Sequence, residues 1–127
     1  MSKILIILPT LGAGGAEKLH VNLANDWIKK GHKVEIVLMR KKDERTREIL
    51  PLLSKKVLIN CFDITRTPQI IIPLIKYLRK SLPDYTIAPM WPITTYSIIA
   101  WLLSGKIGKI YISDHIQLSH TAKYEIN

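Results

Sequence analysis

The chain has 127 residues and a formal net charge of +9. That is material for one domain with a sizeable core and leaves no room for a second. Hydrophobic residues make up 47% and charged residues 23%, which excludes a disordered or low-complexity chain. The basic balance implies an anionic partner. However, Arg40, Lys41, Lys42, Arg45, Arg47, Lys55, Lys56, Lys76, Arg79 and Lys80 lack the interleaved aromatic residues of a base-stacking surface, so no nucleic-acid partner is expected.

Ile4 to Leu8 is a contiguous branched apolar run, the pattern of a parallel strand covered on both faces. Pro9 ends it. Gly12, Gly14 and Gly15 follow, offering backbone without Cβ atoms at the start of a helix, where N–H groups can meet an anion or a sugar. From Ala16 to Lys30, Leu19, His20, Leu23, Ala24, Trp27 and Ile28 repeat at helical spacing, with Lys18, Asn22, Asn25 and Lys29 opposite. Gly31 is the expected stop, His32 lies in the turn, and Lys33 to Met39 reads as the second strand.

Arg40 to Arg47 is a polar connector, followed by a short helical stretch between Glu44 and Leu53 that Pro51 interrupts. Lys56 to Phe62 reads as the third strand, with Cys61 as a core thiol in a reducing compartment. Thr67 is the expected cap of a helix running to Leu82, with Pro68 at its first position. Pro73 inside that span predicts a kink, or a helix that starts at Pro73. Asp84 to Met90 is the fourth strand, Thr95 to Ser104 a helix ended by Gly105, and Lys109 to Ser113 the fifth strand.

Two competing readings of apolar segments fail. The run from Ile4 to Leu8 is shorter than the roughly 7–15 residues of a signal-peptide core. The uncharged run from Tyr85 to Gly105 contains Pro89 and Pro92 and divides into strand, turn and helix rather than one membrane span. Strands alternating with helices predict an α/β fold, a Rossmann-like parallel sheet with helices on both faces. Ligands of such a sheet sit beyond the carboxyl ends of its strands. The residues delivered there are Thr10 to Gly15, Arg40, Trp91 to Thr95, and Asp114 with His115.

The glycine cluster begins a G-x-G-x-x-G fingerprint, but Glu17 occupies its third glycine position. A carboxylate there opposes both close helix packing and a pyrophosphate. The second strand also ends in Met39 and Arg40 rather than an acidic residue for ribose hydroxyls, so a nucleotide-dependent oxidoreductase is the weaker enzyme reading. No Gly-Lys-Ser/Thr follows, which removes a Walker loop. Glu17 suits a helix N-terminus, where the dipole favours a carboxylate by roughly 0.3–1 kcal/mol; alternatively it orients the glycine loop or meets a hydroxyl-rich ligand.

The stretch PTLGAGGAEKLHVNLANDWIKKGHKVEIVLM, with its Gly-Gly-Ala-Glu turn, Asn22-Leu23-Ala24 and Gly31-His32-Lys33-Val34, resembles the opening of retaining GT-B glycosyltransferases of glycosyltransferase family 4. IYISDH, at 110–115, resembles that family's fifth strand with its terminal acidic residue and histidine. The resemblance implies that residues 1–127 form the N-terminal, acceptor-side half of a GT-B fold, an incomplete and truncated domain whose C-terminal donor-binding partner is missing. No two glutamates stand in the family's Glu-x7-Glu spacing.

By the same resemblance, His115 would contact the transferred sugar as the catalytic-site residue. Gly12, Gly14, Gly15, Glu17, Trp91 and Asp114 would contribute to substrate binding, with aspartate standing where many members have glutamate. Trp91 also fits plain packing. The implied reaction moves a sugar from a nucleotide-sugar donor to a lipid-linked or polysaccharide acceptor in cell-surface glycan biosynthesis. It needs no metal and no cofactor beyond the donor as co-substrate. The expected location is cytoplasmic, peripheral at the inner face of the cytoplasmic membrane, where an anionic lipid surface would meet the basic residues of Ile70 to Leu82. This half alone is expected to be inactive. The alternative from another class is a non-catalytic remnant or small binding module.

Overall fold

A computed structural model describes residues 2–9, 15–40, 50–89 and 93–112. Strand β1 (Lys3–Leu8) is the centre of the sheet, and Ile4 through Leu8 are all fully buried. Its alternate side chains feed two cores, as the period of a strand requires. Ile4, Ile6 and Leu8 pack with Val21, Ala24 and Trp27 of helix α1 (Gly15–Lys29) on one face, joined by Val34, Ile36 and Leu38 of β2 (Lys33–Leu38). Leu5 and Ile7, with Val37 and Met39, pack on the other face against Leu74 and Leu78 of α2 (Ile71–Ser81) and Ile93 and Ala100 of α3 (Ile93–Ser104).

Strands β3 (Leu58–Cys61), β4 (Tyr85–Ala88) and β5 (Lys109–Ile112) complete a five-stranded sheet in the order β3-β2-β1-β4-β5. Every pairing is parallel, with Lys3 opposite Lys33, Ile4 opposite Tyr85, Glu35 opposite Leu58 and Tyr85 opposite Lys109. The expected α/β, Rossmann-like sheet with helices on both faces is what forms. At its amino end Asp84 ties three strands: its carboxylate accepts from the Lys3 N–H (2.8 Å), its own N–H donates to the Lys3 carbonyl (2.8 Å), and its carbonyl accepts from Lys109 (3.0 Å).

Helix α1 ends as its sequence requires. Gly31 takes φ +90°, and the N–H of His32 returns to the Trp27 carbonyl at 3.0 Å, closing orphan carbonyls in the manner of a left-handed C-cap. The segment after residue 49 opens with a 3-10 turn, Leu50–Leu52. Leu53 and Val57 are buried in the α1-side core. Asn25, expected on the solvated face of α1, instead braces this segment: Nδ2 donates to the Leu52 carbonyl and Oδ1 accepts from the Ser54 N–H, each at 2.7 Å.

Two sequence expectations need correction. The helix from Thr67 is not continuous: a 3-10 turn covers Thr67–Ile70 and the α-helix begins at Ile71. Pro73 therefore lies in the first α-helical turn, where its missing N–H has no intrahelical partner to lose; of the two expected alternatives, a helix start near Pro73 is the one that forms, two residues earlier, and no kink is needed. The turn is held by Gln69, whose Oε1 accepts from the Arg66 N–H at 3.0 Å, rather than by a Thr67 cap. Cys61 is exposed rather than a core thiol, because β3 is an edge strand. Among the described residues no helix is long and apolar enough to cross a membrane.

Candidate functional site

In a parallel sheet of this order, the chain leaves β1 and β4 toward helices on opposite faces. The crevice between their carboxyl ends is the switch point where ligands bind. Here α1 covers one face while α2 and α3 cover the other, and β1 and β4 are neighbours. Leu8 and Pro9 mark the end of β1, Ala88 and Pro89 that of β4, and Ile112 that of the adjoining β5. Three adjacent strands, β1, β4 and β5, therefore end on this side.

Gly15 is the first residue of α1 and Glu17 stands in its first turn. This places the glutamate's backbone where the helix dipole favours negative charge. Gly12, Gly14, Trp91, Asp114 and His115 lie outside the described residues.

Two further features at this end have defined positions. Arg40 follows β2 and is exposed, and its backbone N–H donates to the Pro9 carbonyl at 3.1 Å. That bond holds a cation beside the end of β1. Helix α3 starts at Ile93, directly after the β4 exit, so the N-termini of two helices of at least three turns face this end. Together with Arg40 they give it positive potential suited to phosphate oxygens. The position of α3's start was not legible in the sequence, where Trp91 to Thr95 read as a turn.

The amino end of the sheet is built differently. Glu35 is only 7% exposed, yet it is ionised and fully partnered. Ser81 Oγ donates to its Oε1 at 2.8 Å, Lys3 Nζ stands 3.2 Å from the same oxygen, and the Tyr77 hydroxyl donates to Oε2. Burial pushes the Glu35 pKa up, but the bonds from Tyr77, Ser81 and Lys3 outweigh it and leave it below the ordinary glutamate value. Burial first, then the bond to Glu35 and its charge, raise the Tyr77 pKa, so the shared proton stays on the phenol. Lys3 Nζ also donates to the Ser81 carbonyl at 2.7 Å.

Two cavities flank this cluster. One of about 510 Å3 is bounded by Ile28, His32, Lys33, Val34, Lys56 and Leu58, and one of about 400 Å3 by Asn60, Phe62, Tyr77 and Lys80. Lys3 and Glu35 belong to the walls of both. Sequence reading did not single out this end, because Lys3, Glu35, Tyr77 and Ser81 are far apart in the chain and carry no local motif.

No protein-family model matches the sequence, and no curated protein matches it at a significant level. By structure, the chain is similar to MurG of Acinetobacter baumannii, with a TM-score of 0.66 and 12% identity, over 99% of this chain and 39% of that one. The likeness is one of fold: the Rossmann-like sheet described above is of the kind found in the GT-B architecture of MurG. The chain spans about two fifths of the MurG chain's length. A second structure, GalB, the 4-carboxy-2-hydroxymuconate hydratase of Pseudomonas putida KT2440, superimposes with a TM-score of 0.43 and 17% identity over 84% of this chain and 55% of that one. An overlap that loose carries no argument.

Proposed function

We propose that the chain is the N-terminal, acceptor-side half of a retaining GT-B glycosyltransferase, one that passes a sugar from a nucleotide-sugar donor to a lipid-linked or polysaccharide acceptor. The observation that carries this reading is the MurG-like parallel sheet, in which α1 follows β1 at the switch point. The helix N-termini and Arg40 at the same end supply the potential a donor's phosphates need.

In this reading the backbone of Gly12, Gly14 and Gly15 approaches the donor phosphates and the reacting sugar. Glu17 fixes the loop, Trp91 and Asp114 border the acceptor, and His115 contacts the transferred sugar. The donor nucleotide itself is held by a second domain. Transfer depends on closing two preorganised surfaces around both substrates, so this half alone does not turn over. The location is cytoplasmic and peripheral to the inner membrane face. In support, Ile72 and Leu82 of the α2 region are exposed beside Lys76, Arg79 and Lys80, the composition of an interfacial helix.

The test is acceptor binding by the isolated chain, followed by amide NMR against soluble polyprenyl-diphosphate sugars and polysaccharide fragments. Saturable shifts at Arg40, Ile93 and Gly15 are the expected result, with no transfer of radiolabelled sugar from any nucleotide-sugar. Transfer by the chain alone, or acceptor binding that leaves those amides unmoved, would overturn the assignment.

A further inference from the structure

The cavity of about 510 Å3 at the amino end of the sheet lies at the opposite pole from the switch-point crevice. Its size is within the roughly 300–1,000 Å3 typical of small-molecule sites. Aliphatic residues contribute to its lining. Ile28 from the end of α1, Val34 of β2 and Leu58 of β3 line it, and Leu58 is 62% exposed although it sits in a concave wall.

Basic residues line it as well. Lys33 and Lys56 line the cavity, are exposed, and have no ion-pair partner among the described residues. His32 also contributes: its Nδ1 accepts the backbone N–H of Ser2 at 3.0 Å, so the neutral ring carries its hydrogen on Nε2 and can donate it.

The carboxylate of Glu35 in the same wall does not oppose an anion. Lys3 cancels its charge, and Tyr77, Ser81 and Lys3 occupy both its oxygens. Two free ammonium groups and one N–H donor around a single cavity suit a dianion better than a monoanion, since compact lysine charges serve phosphate without needing the planar fork of arginine.

We propose that this cavity binds a phosphate monoester carried on an apolar body, with the phosphate at Lys33, Lys56 and His32 and the apolar body against the exposed Leu58. The site is separate from the proposed glycosyl-transfer crevice and does not depend on that reading. The ester could be a soluble metabolite or the head of an anionic lipid; the chemistry at the cavity is the same.

The probe is octyl phosphate below its micelle concentration, compared with inorganic phosphate and with vesicles containing phosphatidic acid. Titration followed by amide NMR is expected to give saturable shifts at Gly31, His32, Lys33 and Leu58, with Arg40 and Ile93 unmoved. Replacing both Lys33→Ala and Lys56→Ala should weaken octyl phosphate by about tenfold or more, from loss of charge-assisted bonds. Both lysines are exposed, and a thermal melt is the control for folding of the variant.

Leu58→Ser should weaken octyl phosphate while leaving inorganic phosphate unchanged. Vesicle binding lost in the double-lysine variant would identify a lipid head as the source, and octyl phosphate binding without vesicle binding would identify a soluble ester. Absence of saturable binding, unchanged affinity in the double-lysine variant, or inorganic phosphate binding as tightly as octyl phosphate would each overturn the proposal. The switch-point reading would stand in any of those cases, because it is read at different amides.

Discussion

Tyr77 donates its phenolic hydrogen to Glu35 across 42 positions of sequence, fastening helix α2 to strand β2. Asn60 Nδ2 donates to the same phenolic oxygen at 3.1 Å, so one hydroxyl links the helix to two strands at the open edge of the sheet. A hydrogen bond to a charged acceptor contributes about 1.5–3 kcal/mol. Tyr77→Phe keeps the ring that meets Phe62 edge to face at 6.0 Å and removes only the hydroxyl. It should lower the melting temperature by roughly 5–10 °C without changing the secondary structure. A melt within a degree or so of the parent would show that the bond contributes nothing net.

Among the described glycines, Gly108 is the one with no room for a side chain. Its φ is +67°, and a Cβ there would stand 2.4 Å from the Pro83 carbonyl oxygen and 2.6 Å from that of Asp84. Both neighbours are backbone, and the Asp84 carbonyl is already bonded to Lys109, so neither yields cheaply. Gly108→Ala should cost on the order of 2–4 kcal/mol through combined backbone strain and overlap. Gly31→Ala is the control: it also has positive φ, but nothing lies within 4 Å of an added Cβ, so its cost should be limited to about 1 kcal/mol of left-handed strain. Chemical denaturation of the two variants side by side checks the order, and equal losses would contradict it.

Thr86 presents the opposite case. Its hydroxyl, on the interior strand β4, is buried without a hydrogen-bond partner among the described residues. An unpaired buried hydroxyl is costly, and valine has nearly the same shape with equal or better fit to a strand. Thr86→Val is expected to raise stability by about 1 kcal/mol, as a higher denaturation midpoint at unchanged m-value. Destabilisation would mean that the hydroxyl has a partner in solution.

The strands and their order of appearance were legible because burial on both faces leaves contiguous apolar runs, as in Ile4 to Leu8, and because glycines such as Gly31 and Gly105 end helices where the backbone needs positive φ. What stayed hidden depends on neighbours remote in sequence. Glu35, between Val34 and Ile36, carries no local mark of burial, and only the arrival of α2 makes it a buried junction. Asn25 read as a polar-face residue until the 50–54 segment folded against it. Cys61 looked like a core residue because nothing local reveals that β3 is the sheet's edge.

For the candidate site, the glycine-to-helix transition at Gly15 and Glu17 was readable from residue type alone. Arg40 was also readable at this end from the strand order, and the β1–β2 pairing adds its bond to Pro9. The amino-end cavity has no sequence signature, since its lining comes from four separate elements.

His32 predicts how stability responds to acid. Burial first, and then nearby positive charge including Lys30, hold its pKa below the ordinary value of 6.5. The geometry agrees: Nδ1 accepts the Ser2 N–H at 3.0 Å, and protonating that nitrogen would set two donors against each other. The unfolded chain therefore takes up the proton first as pH falls. Stability from this group is fully present above about pH 6.5, and it is lost as pH falls from there toward the depressed folded value, where the loss levels off. Measured by urea denaturation between pH 7.5 and 5, proton uptake on unfolding should contain a component of at most about one proton from this residue. His32→Asn supplies an oxygen acceptor for the Ser2 N–H and does not titrate, so it should flatten that part of the profile. An unchanged slope in the variant would assign the acid sensitivity to another histidine, with His20, buried on α1, the next to replace.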